Sequence, residues 1–259
     1  MKITVLGCGS SGGVPLIGGT WGACDPNEPR NFRRRASILI EEDSTTLLVD
    51  TSPDLREQAL TYDLKRPLDA VLYTHEHADH CHGLNDLRGF NWLTNQAIPV
   101  YGTEHTLKAI QSYFSYAFEP LGPSAYFYKP LLIPHVLKGS AHFGPLTVQP
   151  FTQEHGPTMT TLGFRVGDFA YSTDVRILNE EAFEVLRGVK VWIVDGVRER
   201  PHPTHAHVAQ TLAWIERVRP EQAYLTHMDE SLDYATLAAR LPAGVAPAYD
   251  GMVIHLPAS

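Results

Sequence analysis

Positive charge is in short supply in this chain: 21 lysines and arginines face 29 aspartates and glutamates, leaving a net charge of −8 with histidine neutral. Large nucleic-acid partners draw most of their affinity from lysine and arginine contacts to phosphates, so an acidic chain is not expected to hold one. Cysteine is also scarce. Cys8, Cys24 and Cys81 are the whole set, and an odd, small number excludes a disulfide framework. No run of 18 uninterrupted apolar residues occurs, which excludes a conventional transmembrane helix. Gly/Ser linkers, internal repeats and low-complexity blocks are missing as well. The opening MKITVLGCGSSGGVP carries one lysine and six residues that read as a strand before a glycine-rich turn. A signal peptide needs a longer apolar region, so the expected location is the cytoplasm. What remains is 259 residues, 43% of them hydrophobic, enough to bury a core in one domain spanning residues 1–259.

Local patterning predicts strands first, then strands alternating with helices. Strands are expected at Lys2–Leu6, Ala36–Glu41, Thr46–Asp50 and Asp69–Tyr73, with EEDST as a hairpin turn. A helix opened by Pro53 should run to about Thr61, another should cover Leu84–Trp92, and Thr103 should cap a third reaching Phe114. Later strands are expected at Leu146–Phe151, Leu162–Val166, Asp168–Ser172, Val189–Val194, Gln222–Leu225 and Met252–His255. Helices are expected at Glu180–Leu186, at His205–Val218 and from Ser231 to about Leu241. The aromatic, proline-rich stretch from Tyr116 to Pro134 gives no clear assignment. A mixed sheet system with outer helices accounts for the pattern.

Histidine is the abundant functional residue, thirteen in all, and several stand beside carboxylates. The densest cluster is THEHADH: His75, His77, Asp79 and His80 directly follow an apolar strand. Imidazole nitrogens and carboxylate oxygens suit zinc, manganese or iron. Alternate residues of an extended segment face one way, so His75 and His77 can share one cation while Asp79 and His80 serve a neighbouring one. Gly83 lets the loop bend before the next helix.

This H-x-H-x-D-H pattern resembles the signature of the metallo-β-lactamase fold superfamily. The resemblance implies an α/β (α+β) αββα sandwich, two mixed sheets flanked by helices, with a dinuclear metal site at one edge. It also implies further ligands in a fixed order. His155 in FTQEHG, Asp174 in YSTD and His227 in LTH stand at expected strand ends. By the same analogy His75, His77 and His155 hold one metal, Asp79, His80 and His227 hold the second, and Asp174 bridges. Two cations would activate a shared water and neutralise transition-state charge, and Asp79 would also orient that water.

Two features resemble the phosphodiesterase branch that includes PhnP. One is GCGSSGGVP followed by Arg33–Arg35 and Ser37. The other is PTHAHV after the strand ending at Asp195, where the branch places a histidine at the start of a helix to protonate the leaving oxygen or hold phosphate. His205 falls at that place and His207 is its rival. Arg30, Arg33, Arg34 and Arg35 form either a solvated edge or an anion-facing patch near the site. The sequence departs from PhnP-like proteins at their structural zinc. Only Cys24 remains in WGACDP and Glu230 replaces a late histidine, so no structural zinc is expected. The segment Tyr113–Gly144 matches least and reads as a pocket wall or a packed surface excursion.

The expectation is therefore a metal-dependent phosphodiesterase with two divalent ions, zinc or manganese or iron. Its substrate would be a small phosphodiester, a cyclic nucleotide or cyclic ribose phosphate, and its expected assembly, as in similar proteins, a homodimer. Asp79 and His205 would be catalytic. The alternatives are a lactonase or thioesterase of the same fold, which needs neither His205 nor the arginines, and a non-catalytic binder related to the branch that serves pyrroloquinoline quinone biosynthesis.

Overall fold

The computed structural model describes residues 1–119 and 131–257. In chain order the strands are β1 (Lys2–Gly7), β2 (Ser37–Glu42), β3 (Thr45–Val49), β4 (Ala70–Leu72), β5 (Ile98–Gly102), β6 (Leu132–Val136), β7 (Ala141–Phe143), β8 (Leu146–Glu154), β9 (Thr160–Val166), β10 (Phe169–Ser172), β11 (Val191–Asp195), β12 (Gln222–Thr226), β13 (Val245–Pro247) and β14 (Val253–His255). The helices are α1 (Leu55–Thr61), α2 (Ala78–Cys81), α3 (Leu87–Thr94), α4 (Glu104–Tyr113), α5 (Glu180–Leu186), α6 (Val208–Val218) and α7 (Tyr234–Ala238).

The strands form two seven-stranded sheets, ordered β14-β1-β2-β3-β4-β5-β6 and β13-β12-β11-β10-β9-β8-β7. Each sheet is antiparallel through one half and parallel through the other, the change coming at β3 in the first sheet and at β10 in the second. This is the expected αββα sandwich of two mixed sheets. The parallel strands matter for function. Ligands in such sheets gather beyond the carboxyl ends of the strands, and here β3, β4, β10, β11 and β12 run into Asp50, His75, Asp174, Asp195 and His227.

Side-chain alternation explains the layering. Along β2, Ile38 and Ile40 enter the core between the sheets, while Leu39 faces the helices. On β3, Leu47 and Val49 point inward and Leu48 outward. Period-two alternation with both faces covered makes these strands apolar throughout. From the second sheet, Phe164, Phe169 and Tyr171 fill the same core. The outer face of the first sheet packs on Leu55 of α1, Phe90 of α3, and Leu107 and Ile110 of α4.

Several boundaries differ from expectation, each for a local reason. Pro53 precedes α1, whose N-cap is Asp54. The Leu84–Trp92 helix divides into a 3-10 turn at Leu84–Asp86 and α3. Thr103 caps α4 as expected, its side chain accepting from the Thr106 amide. The last helix is capped by Asp233, not Ser231, whose hydroxyl is held by Asp229 at 2.6 Å. Strands β6, β7 and β13 were not anticipated. Each is an edge segment of three to five residues, too short to show a period. Part of the unassigned Tyr116–Pro134 stretch, which lies within the least-matched segment Tyr113–Gly144, falls outside the described residues. No helix among the described residues is long and apolar enough to cross a membrane.

Candidate metal centre and active site

The THEHADH loop is built from its end residues inward. Thr74 donates its amide and its hydroxyl to the two oxygens of Asp50, both at 2.8 Å. With that hydroxyl proton committed, Thr74 Oγ1 can only accept from His75, whose Nδ1 lies 2.9 Å away. The Nδ1–H tautomer follows, leaving the Nε2 lone pair free. His80 uses the same device: its Nδ1 donates to Asp50 Oδ2 at 2.8 Å. His155 donates Nδ1–H to the Thr204 carbonyl at 2.8 Å. Three rings are thus locked from behind by oxygen acceptors, with Nε2 facing a common centre. That arrangement is characteristic of histidines that ligate metals.

Asp174 stands in the middle. Its Oδ2 is 3.6 Å from Nε2 of His75 and of His155. Its Oδ1 is 3.0 Å from His80 Nε2 and 3.3 Å from His227 Nε2. One carboxylate therefore turns one oxygen toward each group of histidines. Thr173 holds it, donating its hydroxyl to Oδ1 at 2.7 Å. Within 4.8 Å of one another lie the donor atoms of His75, His77, His155 and Asp174, and likewise those of Asp79, His80, Asp174 and His227. All seven residues singled out from the sequence are brought together in these two groups.

The backbone contributes too. Asp50, Asp174 and His227 adopt φ of 61°, 51° and 57°. This left-handed conformation is uncommon for residues with a side chain, and it collects at functional sites. Each residue falls at or just past a strand end, where the reversal turns its side chain across the sheet edge.

The donor set fits divalent cations. Buried Nε2 atoms of His75 and His80 have no hydrogen-bond partner, and an unpartnered buried nitrogen costs about 1–3 kcal/mol. Burial and neighbouring histidines push His75 well below its ordinary pKa. Burial also opposes charge on His80, but Asp174, Asp79 and Asp50 outweigh it and raise its pKa well above the usual value. Burial would raise Asp174, yet His227, His80, His205 and His75 hold it well below the carboxylate range. The same residues that compete for protons here are those a pair of cations would satisfy together.

His205 lines the same cleft, its ring 4.6 Å from that of His155 and stacked 4.7 Å from that of His227. It does not start α6. That helix begins at Val208 with the extended His207 as its N-cap, and the preceding Ala206 is tied to other segments: its amide donates to Val175 O at 2.6 Å and its carbonyl accepts from Val197. Instead of a helix terminus, Asp195 fixes His205, with Nδ1 2.8 Å from Asp195 Oδ2. Burial lowers the imidazole, Asp195 and Asp174 raise it, and the balance carries its pKa up to about 9. His205 Nε2 reaches to 3.8 Å from Asp174 Oδ2. His207 does not line the cleft.

The cleft encloses about 540 Å³. Ser10, Ser11, Asp79, Met159, His202 and Asp229 are among its other walls, and among the described residues neither lysine nor arginine lines it. None of the described residues between 113 and 144 reaches it either. A second groove of similar volume, lined by Leu60, Trp92 and Leu93 between α1 and α3, contains no histidine.

The arginine cluster separates into distinct roles. Arg33 is buried, donating to Leu232 O at 2.6 Å and Asp229 O at 3.0 Å, so its guanidinium knits loops beside Cys24. Arg34 pairs with Glu57 at 2.6 Å and Arg30 with Glu28 at 2.7 Å. Only Arg35, paired with Asp54 at 3.1 Å, reaches a cleft that adjoins Asp79. Asp50, Thr74, Thr173 and Thr204 were not singled out from the sequence as site residues. The one available hint was LLVD, an apolar strand ending in aspartate as YSTD does.

Residues 45–228 match the family described as the beta-lactamase superfamily domain, and the chain belongs to that family. A solved diphosphatase of the PhnP family superposes with a TM-score of 0.88 at 32% identity, covering 99% of this chain and 98% of the other. An octanoyltransferase of Porphyromonas gingivalis is 33% identical over 260 residues, 97% of this chain but 51% of the relative, so this chain spans about half of that protein. The anti-Pycsar protein Apyc1 of Paenibacillus harenae is 27% identical over 76% of this chain and 84% of its own length.

Proposed function

We propose that the protein is a dinuclear metal-dependent phosphodiesterase acting on a small phosphodiester, a cyclic nucleotide or cyclic ribose phosphate. The observation that carries the reading is His205, a buried imidazole held by Asp195 and facing the carboxylate between the two ligand groups. His75, His77 and His155 would hold one cation, Asp79, His80 and His227 the other, and Asp174 would reach both. Divalent cations bound there, zinc, manganese or iron, supply Lewis-acid activation of water and neutralise charge on phosphoryl oxygens.

The chain's own residues then divide the work. A phosphodiester expels an alkoxide, a poor leaving group that needs a proton. His205 carries that proton at Nε2, the Asp195 carboxylate on its Nδ1 favouring the charged ring. Asp195 holds the ring and stabilises its charge. Asp79, on the cleft wall, orients the attacking water. Among the described residues no lysine or arginine lines the cleft, so a protonated His205 would also supply positive charge to an anionic transition state. The similarity to a PhnP-family diphosphatase over nearly the full chain supports the phosphoryl branch.

The test is hydrolysis of bis(p-nitrophenyl) phosphate by chelated protein reloaded with zinc or manganese, beside a lactone and a thioester. Metal-dependent diester cleavage is expected. Turnover of the lactone or thioester with none of the diester would sink the proposal.

A further inference from the structure

We propose that His202 binds the substrate, its Nε2–H donating a hydrogen bond to the group that leaves as His205 protonates it. The proposal rests on the phosphodiesterase reading and adds to it a residue outside both ligand groups.

His202 lines the histidine cleft. Its ring centroid lies 4.9 Å from that of His205, with the two planes at 70°, and it belongs to neither ligand group. The backbone settles which nitrogen carries the proton. The Thr204 amide donates to His202 Nδ1 at 3.2 Å. An amide nitrogen can only donate, so Nδ1 is the acceptor and the ring, neutral, keeps its one proton on Nε2. Burial and the neighbouring His205 also lower the His202 pKa, in keeping with a neutral ring. The ring's two hydrogen bonds, to the Thr204 amide and hydroxyl, are both made at Nδ1, so among the described residues Nε2–H is left for a ligand. The ring is also well supported. Pro201 and Pro203 restrict the backbone on either side, and the Thr204 carbonyl accepts from His155 Nδ1 at 2.8 Å. Thr204 thus ties the His202 ring to a proposed metal ligand.

The position says which part of the substrate it meets. As water attacks phosphorus and the bond to the leaving oxygen breaks, the Nε2 proton of His205 passes to that oxygen. The atoms bonded to the departing oxygen then lie past His205 and away from the ligands, where His202 is the adjacent donor. A second charged ring there would oppose the charge on His205. A neutral Nε2–H does not, and it suits an uncharged acceptor such as an ether or hydroxyl oxygen.

Two measurements on the zinc-loaded protein test the role. The first is nitrogen NMR of histidine-labelled protein, with the signal assigned through His202→Gln. The proton should be on Nε2, and that nitrogen should shift with 2-methoxyethyl phosphate but not with ethyl phosphate, which lacks the acceptor oxygen. The second compares hydrolysis of bis(2-methoxyethyl) phosphate and diethyl phosphate, read by phosphorus NMR. Two variants separate binding from support of the loop. In His202→Asn the side-chain oxygen can still accept from the Thr204 amide, but the Nε2 donor is gone. His202→Gln restores a donor at that reach. His202→Asn should raise KM about tenfold on the methoxyethyl diester only, with kcat little changed, and His202→Gln should return it toward the parent value. A ring that only supports the loop gives the reverse, with His202→Asn spared and His202→Gln impaired. That result, an unchanged KM in His202→Asn, equal changes on the two diesters, a proton on Nδ1, or the same nitrogen shift with both monoesters overturns the proposal. If neither diester is hydrolysed, the phosphodiesterase reading fails, and the nitrogen shift still decides whether His202 holds the ester group.

Discussion

His205 and Asp195 form a buried pair, Nδ1 to Oδ2 at 2.8 Å, across the ten residues that separate the end of β11 from the approach to α6. The carboxylate fixes both the orientation and the charge of the ring. In metal-free protein the His205 ring should titrate with a midpoint near 9 by NMR, falling toward the usual value of about 6.5 in Asp195→Asn. The sign for stability follows. A folded pKa above the unfolded one gives stability that is complete below pH about 6.5 and lost as pH rises through about 9. The difference in thermal midpoint between the parent and Asp195→Asn should therefore be large at pH 6 and shrink by pH 10.

Replacing His205 with alanine should cost about 10²–10⁴ in kcat on diesters with alkoxide leaving groups. p-Nitrophenolate leaves without help, so the loss on an activated diester should be far smaller. Equal losses on the two substrates would show that His205 is not the proton donor.

The two ligand groups should be separable by elemental analysis. His77→Ala and His227→Ala each remove a nitrogen from a different group, and each should lower bound metal from about two per chain toward one. Chelation should lower the melting temperature of the parent, since a cation at a hundred times its Kd stabilises by about 2.7 kcal/mol.

Asp50 touches no proposed ligand atom, yet it accepts from His80 Nδ1 and from both donors of Thr74. Asp50→Ala should weaken metal binding about 10–100-fold while leaving every proposed ligand in place. Competition with a fluorescent chelator measures the shift.

Two glycines should respond oppositely to alanine. At Gly83, below the histidine loop, a Cβ would sit 1.9 Å from Ser52 O, and overpacking of this kind costs about 1–3 kcal/mol or more. At Gly89, inside α3, a Cβ meets nothing within 4 Å, so alanine should gain up to about 1 kcal/mol of helix propensity. Denaturant midpoints of the two variants should move in opposite directions.

Much of this was legible in the chain because the informative signals are local. THEHADH, YSTD and LTH each pair a strand with its first polar residues, and alternation within β2 and β3 marks two covered faces. Weak edge strands such as β7 and β13 were not legible, because three residues carry no period and form only against a neighbour. The helix boundary at His205 was misplaced for a related reason. Val175 and Val197, on other segments of the chain, engage both backbone polar groups of Ala206, and no local propensity reports that.

By itself the sequence determined which residues stand at strand ends and their chemical kind, since strand, turn and donor type are written in neighbouring residues. Tertiary structure alone decided the partners. Asp50 meets His80 thirty residues later, Asp174 turns one oxygen to each ligand group, and three arginines of a four-residue cluster are spent on structure while Arg35 borders a cleft. A buried polar group must find a partner wherever the packed sheets bring one, and that choice exists only once the two sheets have met.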